Sequence, residues 1–156
     1  SDSSTGIQSI IPILAVIDHY AKEYPHPFII EEPELNLFPS TQKHLVEFLV
    51  ENCINVNNGN LILTTHSPYI LTALNNLIQA DNTFRIKPDL EKKISKTIPK
   101  KRWLSYDRVG VYYFENGKAK SMMNKKNRLI DANPLDEVSE ELGREYNQLT
   151  DLEFSK

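Results

Sequence analysis

The sequence predicts an α/β fold in which parallel strands are flanked by helices. Two observations carry this. Helical apolar stripes alternate with short strands, "FII" (28–30) and "LILTT" (61–65), that are apolar without the in–out alternation of a half-wet sheet. Proline also stands where the helix after each strand should open, at Pro39 and Pro68.

Taken in order, Ile7–Tyr24 reads as a mostly buried helix, with Ile10, Ile11, Leu14 and Ile17 at helical spacing and Pro12 in or near its first turns. "YPHP" (24–27) breaks it, and Phe28–Ile30 is a buried strand. Pro39 opens a second helix, about 39–54, with Leu45, Phe48, Leu49 and Cys53 inward. "NNGN" (57–60) is a turn, and 61–65 a second buried strand. Ser67 caps, and Pro68 opens, a third helix over about 68–79. Residues 80–104 are charged, carry two prolines and read as a loop with one helical turn. "VGVYYFENGKAKSMM" (109–123) is a β-hairpin turning at Asn116-Gly117. Val138, Leu142, Tyr146 and Leu149 share one face of a C-terminal helix over 134–150. Trp103, Tyr112, Tyr113 and Phe114 are expected in the core.

The chain has 156 residues, enough for one ordinary domain with its own core. A net charge of −3 gives no global attraction to nucleic acid. The charge is segregated, at about +6 over 85–102 and about −7 over 131–153. Those stretches read as a solvated basic loop and an acidic surface helix, or as a phosphate-contacting patch and a partner-binding helix. The lone Cys53 excludes an internal disulfide and fits a reducing, cytoplasmic location. No apolar run is long enough to span a bilayer, so no membrane partner is expected. The sequence opens with "SDSSTG", without an initiator methionine or a basic signal-peptide region, and is expected to be part of a longer chain.

The chemistry lies at the strand ends. In parallel α/β sheets, ligands sit at the carboxyl ends of the strands. Glu31 and Glu32 end the first strand and His66 ends the second. Neighbouring strands lie about 4.8 Å apart, so these groups can share a site. One carboxylate can hold Mg²⁺ through water, a second can deprotonate an attacking water, and an imidazole can bond a phosphate oxygen. The same residues could instead be acids favouring a helix dipole beside a solvated or core histidine. His19, His26 and His44 show no metal-ligand spacing.

"FIIEEPELNLFP" (28–39) resembles the Walker B and D-loop segment of ABC-type ATPases, in particular the soluble branch of RecF, the SMC heads and the OLD nucleases. "ILTTHSPYIL" (62–71) resembles the switch-histidine segment of that branch, and "SSTGIQS" (3–9) its signature motif. "DRVGVYYFENGKAKS" (107–121) is similar to the strand and hairpin that follow. The resemblance implies a P-loop NTPase core with ATP and Mg²⁺ as ligands. It gives Glu31 the Mg²⁺-holding role through water, Glu32 the polarisation of the attacking water, and His66 the γ-phosphate contact. Asn36 falls in the D-loop that meets the opposite subunit. Ser4, Gly6 and Gln8 would bind a nucleotide held by another subunit, although the spacing around Gln8 departs from L-S-G-G-Q. The resemblance covers residues 3 to about 122, which sets an ATPase part at 1–122 and an acidic helical extension at 123–156.

No G-x-x-x-x-G-K-[ST] occurs in the sequence. The chain is therefore expected to be the C-terminal half of such an ATPase, inactive by itself. Its expected partners are an N-terminal half with Walker A, a second copy in a homodimer and, through the basic stretch, DNA. The resemblance links it to DNA maintenance or phage defence. The alternatives are a non-catalytic scaffold module using the acidic tail, and the ATPase part of an OLD-type system whose nuclease is supplied elsewhere. Residues 123–156 hold no D-x-D and are too few for a nuclease domain.

Overall fold

The computed structural model describes residues 5–21, 25–56, 58–131, 144, 146 and 147. Helix α1 (Thr5–Tyr20) is followed by β1 (Pro27–Glu31) and α2 (Pro39–Leu49), which continues as a π-helical segment, Val50–Val56. Then come β2 (Asn60–Thr64), α3 (Pro68–Ile86), α4 (Glu91–Thr97) and two small hairpins. These are β3 (Tyr112–Glu115) with β4 (Lys118–Ser121), and β5 (Met123–Asn124) with β6 (Leu129–Ile130).

β1 and β2 pair in parallel, from Pro27 opposite Asn60 to Glu31 opposite Thr64. This register sets the ends of both strands level and brings the turns that follow them side by side. α2 is the central helix because it is apolar on two sides. Leu45, Leu49 and Cys53 pack with Ile17 of α1 and Phe28 of β1. Val46 and Val50 pack with Ile70, Leu77 and Ile78 of α3, and with Leu104, Met122 and Ile130 beyond it. Burial of these side chains stabilises the fold by roughly 1.5–3 kcal/mol each.

Three expectations are corrected here. The strands are not buried on both faces: Ile29 is 69% and Ile62 54% exposed, because α1 and α2 cover only the face of Phe28, Ile30, Leu61 and Leu63. α1 is likewise one-sided, with Ile11, Val16 and Tyr20 exposed. Residues 80–104 are not a loop with a single turn. α3 runs on to Ile86 because Ala80 and Asn82 stay buried, and α4 follows. Trp103 then closes the segment, buried against Phe84 and donating from Nε1 to the Ile98 carbonyl at 2.7 Å.

The hairpin at Asn116-Gly117 forms with both residues at positive φ (49° and 73°), as a type I′ turn requires. Its aromatics divide by strand alternation. Tyr113 packs on the core, whereas Tyr112 and Phe114 are exposed, against the expectation that all are core. The β5–β6 hairpin has no counterpart in the sequence reading. It is tied to α3 by Asn75, which accepts from the Ile130 amide at 2.7 Å and donates to its carbonyl at 2.9 Å. The C-terminal helix expected at 134–150 lies outside the described residues, apart from helical Arg144, Tyr146 and Asn147.

Candidate functional site

The site is built from two turns, each leaving the carboxyl end of a strand. After β1 the chain enters a tight loop, with Glu32 at φ 43° and Asn36 at φ 62°. Non-glycine residues adopt this left-handed region only where the surroundings hold them there. Here the Glu32 amide donates to the Thr64 carbonyl at 2.9 Å, the Leu35 amide to the Glu32 carbonyl at 3.1 Å and the Leu37 amide to the Glu34 carbonyl at 3.0 Å. After β2, Ser67 caps α3, its Oγ accepting from the Tyr69 amide at 3.2 Å and donating to Gln42 of α2 at 2.6 Å. Gln42 in turn donates to the Leu37 carbonyl at 2.9 Å. Polar side chains thus bind α2 to both turns.

These turns bring Glu32 and His66 together, with Nε2 3.0 Å from Oε1. The imidazole is 88% exposed and the carboxylate 36%, so both can reach a molecule arriving from solvent. They line a cleft of about 320 Å³ with Glu34, Asn36, Leu37 and Gln42. A second groove, of about 400 Å³, lies elsewhere, between α2, α3 and α4; Ala73, Leu77, Ala80, Ile94 and Ile98 give it an apolar floor.

Glu31 is exposed at the end of β1, on the face that carries Ile29. Gly6 meets the same loop: a Cβ there would lie 2.6 Å from the Asn36 carbonyl oxygen. Gly6 and Asn36 are therefore neighbours within one chain. Gln8 is exposed on α1, and Ser4 lies outside the described residues. Among the described residues, no group of three His, Cys, Asp or Glu side chains converges as a metal cage. A water-mediated Mg²⁺ needs only one carboxylate, and exposed Glu31 is compatible with that.

Residues 1–71 match the family model of the AAA ATPase domain. The matched segment covers less than half of the chain but contains both turns and the residues that line the Glu32–His66 cleft. It supports an AAA-type ATPase relationship for this part of the chain. No curated protein and no solved structure matches the chain. No helix among the described residues is long and apolar enough to cross a membrane.

Sequence reasoning missed Glu34. It is 8% exposed, and its Oε1 accepts from the Thr65 hydroxyl at 2.5 Å and from the His66 amide at 3.0 Å. A signal was present in "EEPE", but nothing in spacing alone shows that the third glutamate folds under the turn. The basic stretch is also less available than its composition implies. Arg85 pairs with Asp81, Lys100 with Glu91, Lys101 with Glu51, and Arg102 with Glu47 and Glu51. Lys87, Lys92, Lys93 and Lys96 make no ion pair among the described residues and are exposed.

Proposed function

We propose that this chain supplies the water-activating, phosphate-sensing half of an ABC-type ATPase of the RecF/SMC/OLD branch, with the phosphate-binding loop contributed by other polypeptide. The observation that carries the reading is the 3.0 Å contact between Glu32 and His66 at the level ends of paired parallel strands. The family match over residues 1–71 supports nucleotide chemistry at that place.

The contact suggests how the residues work. Without nucleotide, Nε2 of His66 and Oε1 of Glu32 satisfy each other. A terminal phosphate oxygen entering the cleft competes for the imidazole. Glu32 is then free to accept a hydrogen bond from a water aligned on the phosphorus, and takes its proton as the water oxygen bonds to phosphorus and the bond to the leaving oxygen breaks. General-base catalysis of this kind contributes about 10²–10⁴-fold. Mg²⁺, when bound with ATP, neutralises phosphate charge, and Glu31 is the residue to hold its water shell.

The open faces of the molecule fit a partner. Ile29, Ile62, Tyr112 and Phe114 are exposed, and a two-stranded sheet is marginal alone. The N-terminal half with its phosphate-binding loop would cover the strands, and a second copy would face Gly6 and Asn36 in a nucleotide-sandwich dimer. Coupling to DNA maintenance or phage defence belongs to the same reading, through the resemblance to that branch. The test is ATP hydrolysis by the chain alone and with a polypeptide carrying the phosphate-binding loop. Phosphate release only in the second case is expected. Turnover by the chain alone that Glu32→Gln abolishes would overturn the division of labour.

A further inference from the structure

The backbone ladder between the two turns ends at the bond from the Glu32 amide to the Thr64 carbonyl. Beyond it, the strands diverge into turns that differ in shape, yet His66 must still meet Glu32. The Glu34 side chain joins them there. Its Oε1 receives the Thr65 hydroxyl and the His66 amide, while the Thr65 hydroxyl accepts from the Ser67 amide at 3.0 Å. Three consecutive residues of the second turn are thus held, directly or through Thr65, by one carboxylate oxygen of the first.

Glu34 cannot do the work assigned to Glu32. Its engaged oxygen is spent on these bonds, and Oε2 is buried without a hydrogen-bond partner among the described residues. Keeping a carboxylate so enclosed is costly unless its hydrogen bonds serve the fold. We propose that Glu34 is a positioning residue: it clamps the Thr65–His66 turn so that the imidazole stands against Glu32. This rests on the reading of Glu32 and His66 as the hydrolytic pair.

The test is nuclear magnetic resonance of the full chain with labelled histidine and no nucleotide, following the His66 imidazole Nε2 and Cε1–H signals. Glu32→Ala marks the signal positions when the contact is lost. In folded Glu34→Ala, the His66 signals should move to those positions. In Glu34→Gln they should stay at the wild-type positions, because the amide oxygen can accept the same two bonds. Should Glu34→Ala fail to fold, Thr65→Val removes both bonds of the hydroxyl, to Glu34 and from the Ser67 amide, but keeps the bond from the His66 amide to Glu34, and should move the signals in the same direction by less. Wild-type signals in folded Glu34→Ala, or in Thr65→Val where that variant replaces it, would overturn the positioning role while leaving the pair intact. So would Glu34→Gln signals displaced like those of Glu32→Ala. If Glu32→Ala itself matches wild type, there is no contact to position, and the reading of the pair fails with it.

Discussion

The imidazole of His66 lies 3.0 Å from the carboxylate of Glu32, although one follows β2 and the other follows β1. The parallel register explains it. Glu31 is level with Thr64, so the residues just beyond the ladder on each strand are neighbours in space. Everything proposed about chemistry starts from this adjacency, and several other properties of the chain follow from how it is held.

Gly6 should not accept a side chain. Alanine is favoured over glycine within helices by up to about 1 kcal/mol. At Gly6, however, the new Cβ would meet the Asn36 carbonyl oxygen at 2.6 Å, and backbone cannot swing aside as a side-chain tip can. Gly6→Ala is expected to destabilise by about 1–3 kcal/mol in urea unfolding. A variant as stable as wild type would mean that α1 does not dock on the loop as described.

The uncovered face of β1 and β2 should make the isolated chain associate. Ile29 and Ile62 stand side by side on it, and both outer strand edges lack ladder partners among the described residues. Light scattering is expected to show species larger than a monomer, and Ile29→Ser with Ile62→Ser should reduce them with little loss of stability. A monodisperse wild-type monomer contradicts this.

The ion pairing of the charged region was hidden from sequence reading for a physical reason. A run of lysines and arginines looks solvated until the acids opposite are known. For Lys101 and Arg102 those acids are Glu47 and Glu51, far away in sequence on the central helix and its π-helical continuation. The strands misled in the opposite sense, since apolar composition reports what a face could bury, not whether anything covers it. The strand ends, the Ser67 cap and the Asn116-Gly117 turn were legible because each depends on residues a few positions apart. Glu34 was not, because its role arises only when a left-handed turn folds it beneath a neighbouring loop.

The Arg102 cluster gives a pH signature. Burial raises the Glu51 carboxyl, but hydrogen bonds and charge from Lys101 and Arg102 outweigh it and hold it below its ordinary 4.5. A carboxyl lowered on folding stabilises fully above that ordinary value, and the contribution is lost as pH falls through the folded one. Urea midpoints of wild type and Glu51→Gln should therefore differ at pH 7 and draw together as pH falls below 4.5. Arg102→Ala, which takes the guanidinium from mostly buried Glu47, should cost about 1.5–3 kcal/mol at pH 7.

Cys53 should be inert in the folded chain. It is fully buried between α2's continuation and the sheet, and burial pushes its thiol up to about 11. Since the thiolate is the reactive form, a thiol reagent at pH 7.5 should label it only after unfolding. Fast labelling of native protein would show that the π-helical segment opens readily.

The central claim is that Glu32 and His66 act on a terminal phosphoryl group. It is tested most directly by combining this chain with a polypeptide that carries a phosphate-binding loop and measuring ATP binding and phosphate release side by side. Glu32→Gln is expected to retain bound ATP while phosphate release falls by about 10²-fold or more. Phosphate release unchanged in Glu32→Gln, or lost only in step with ATP binding, would contradict the account.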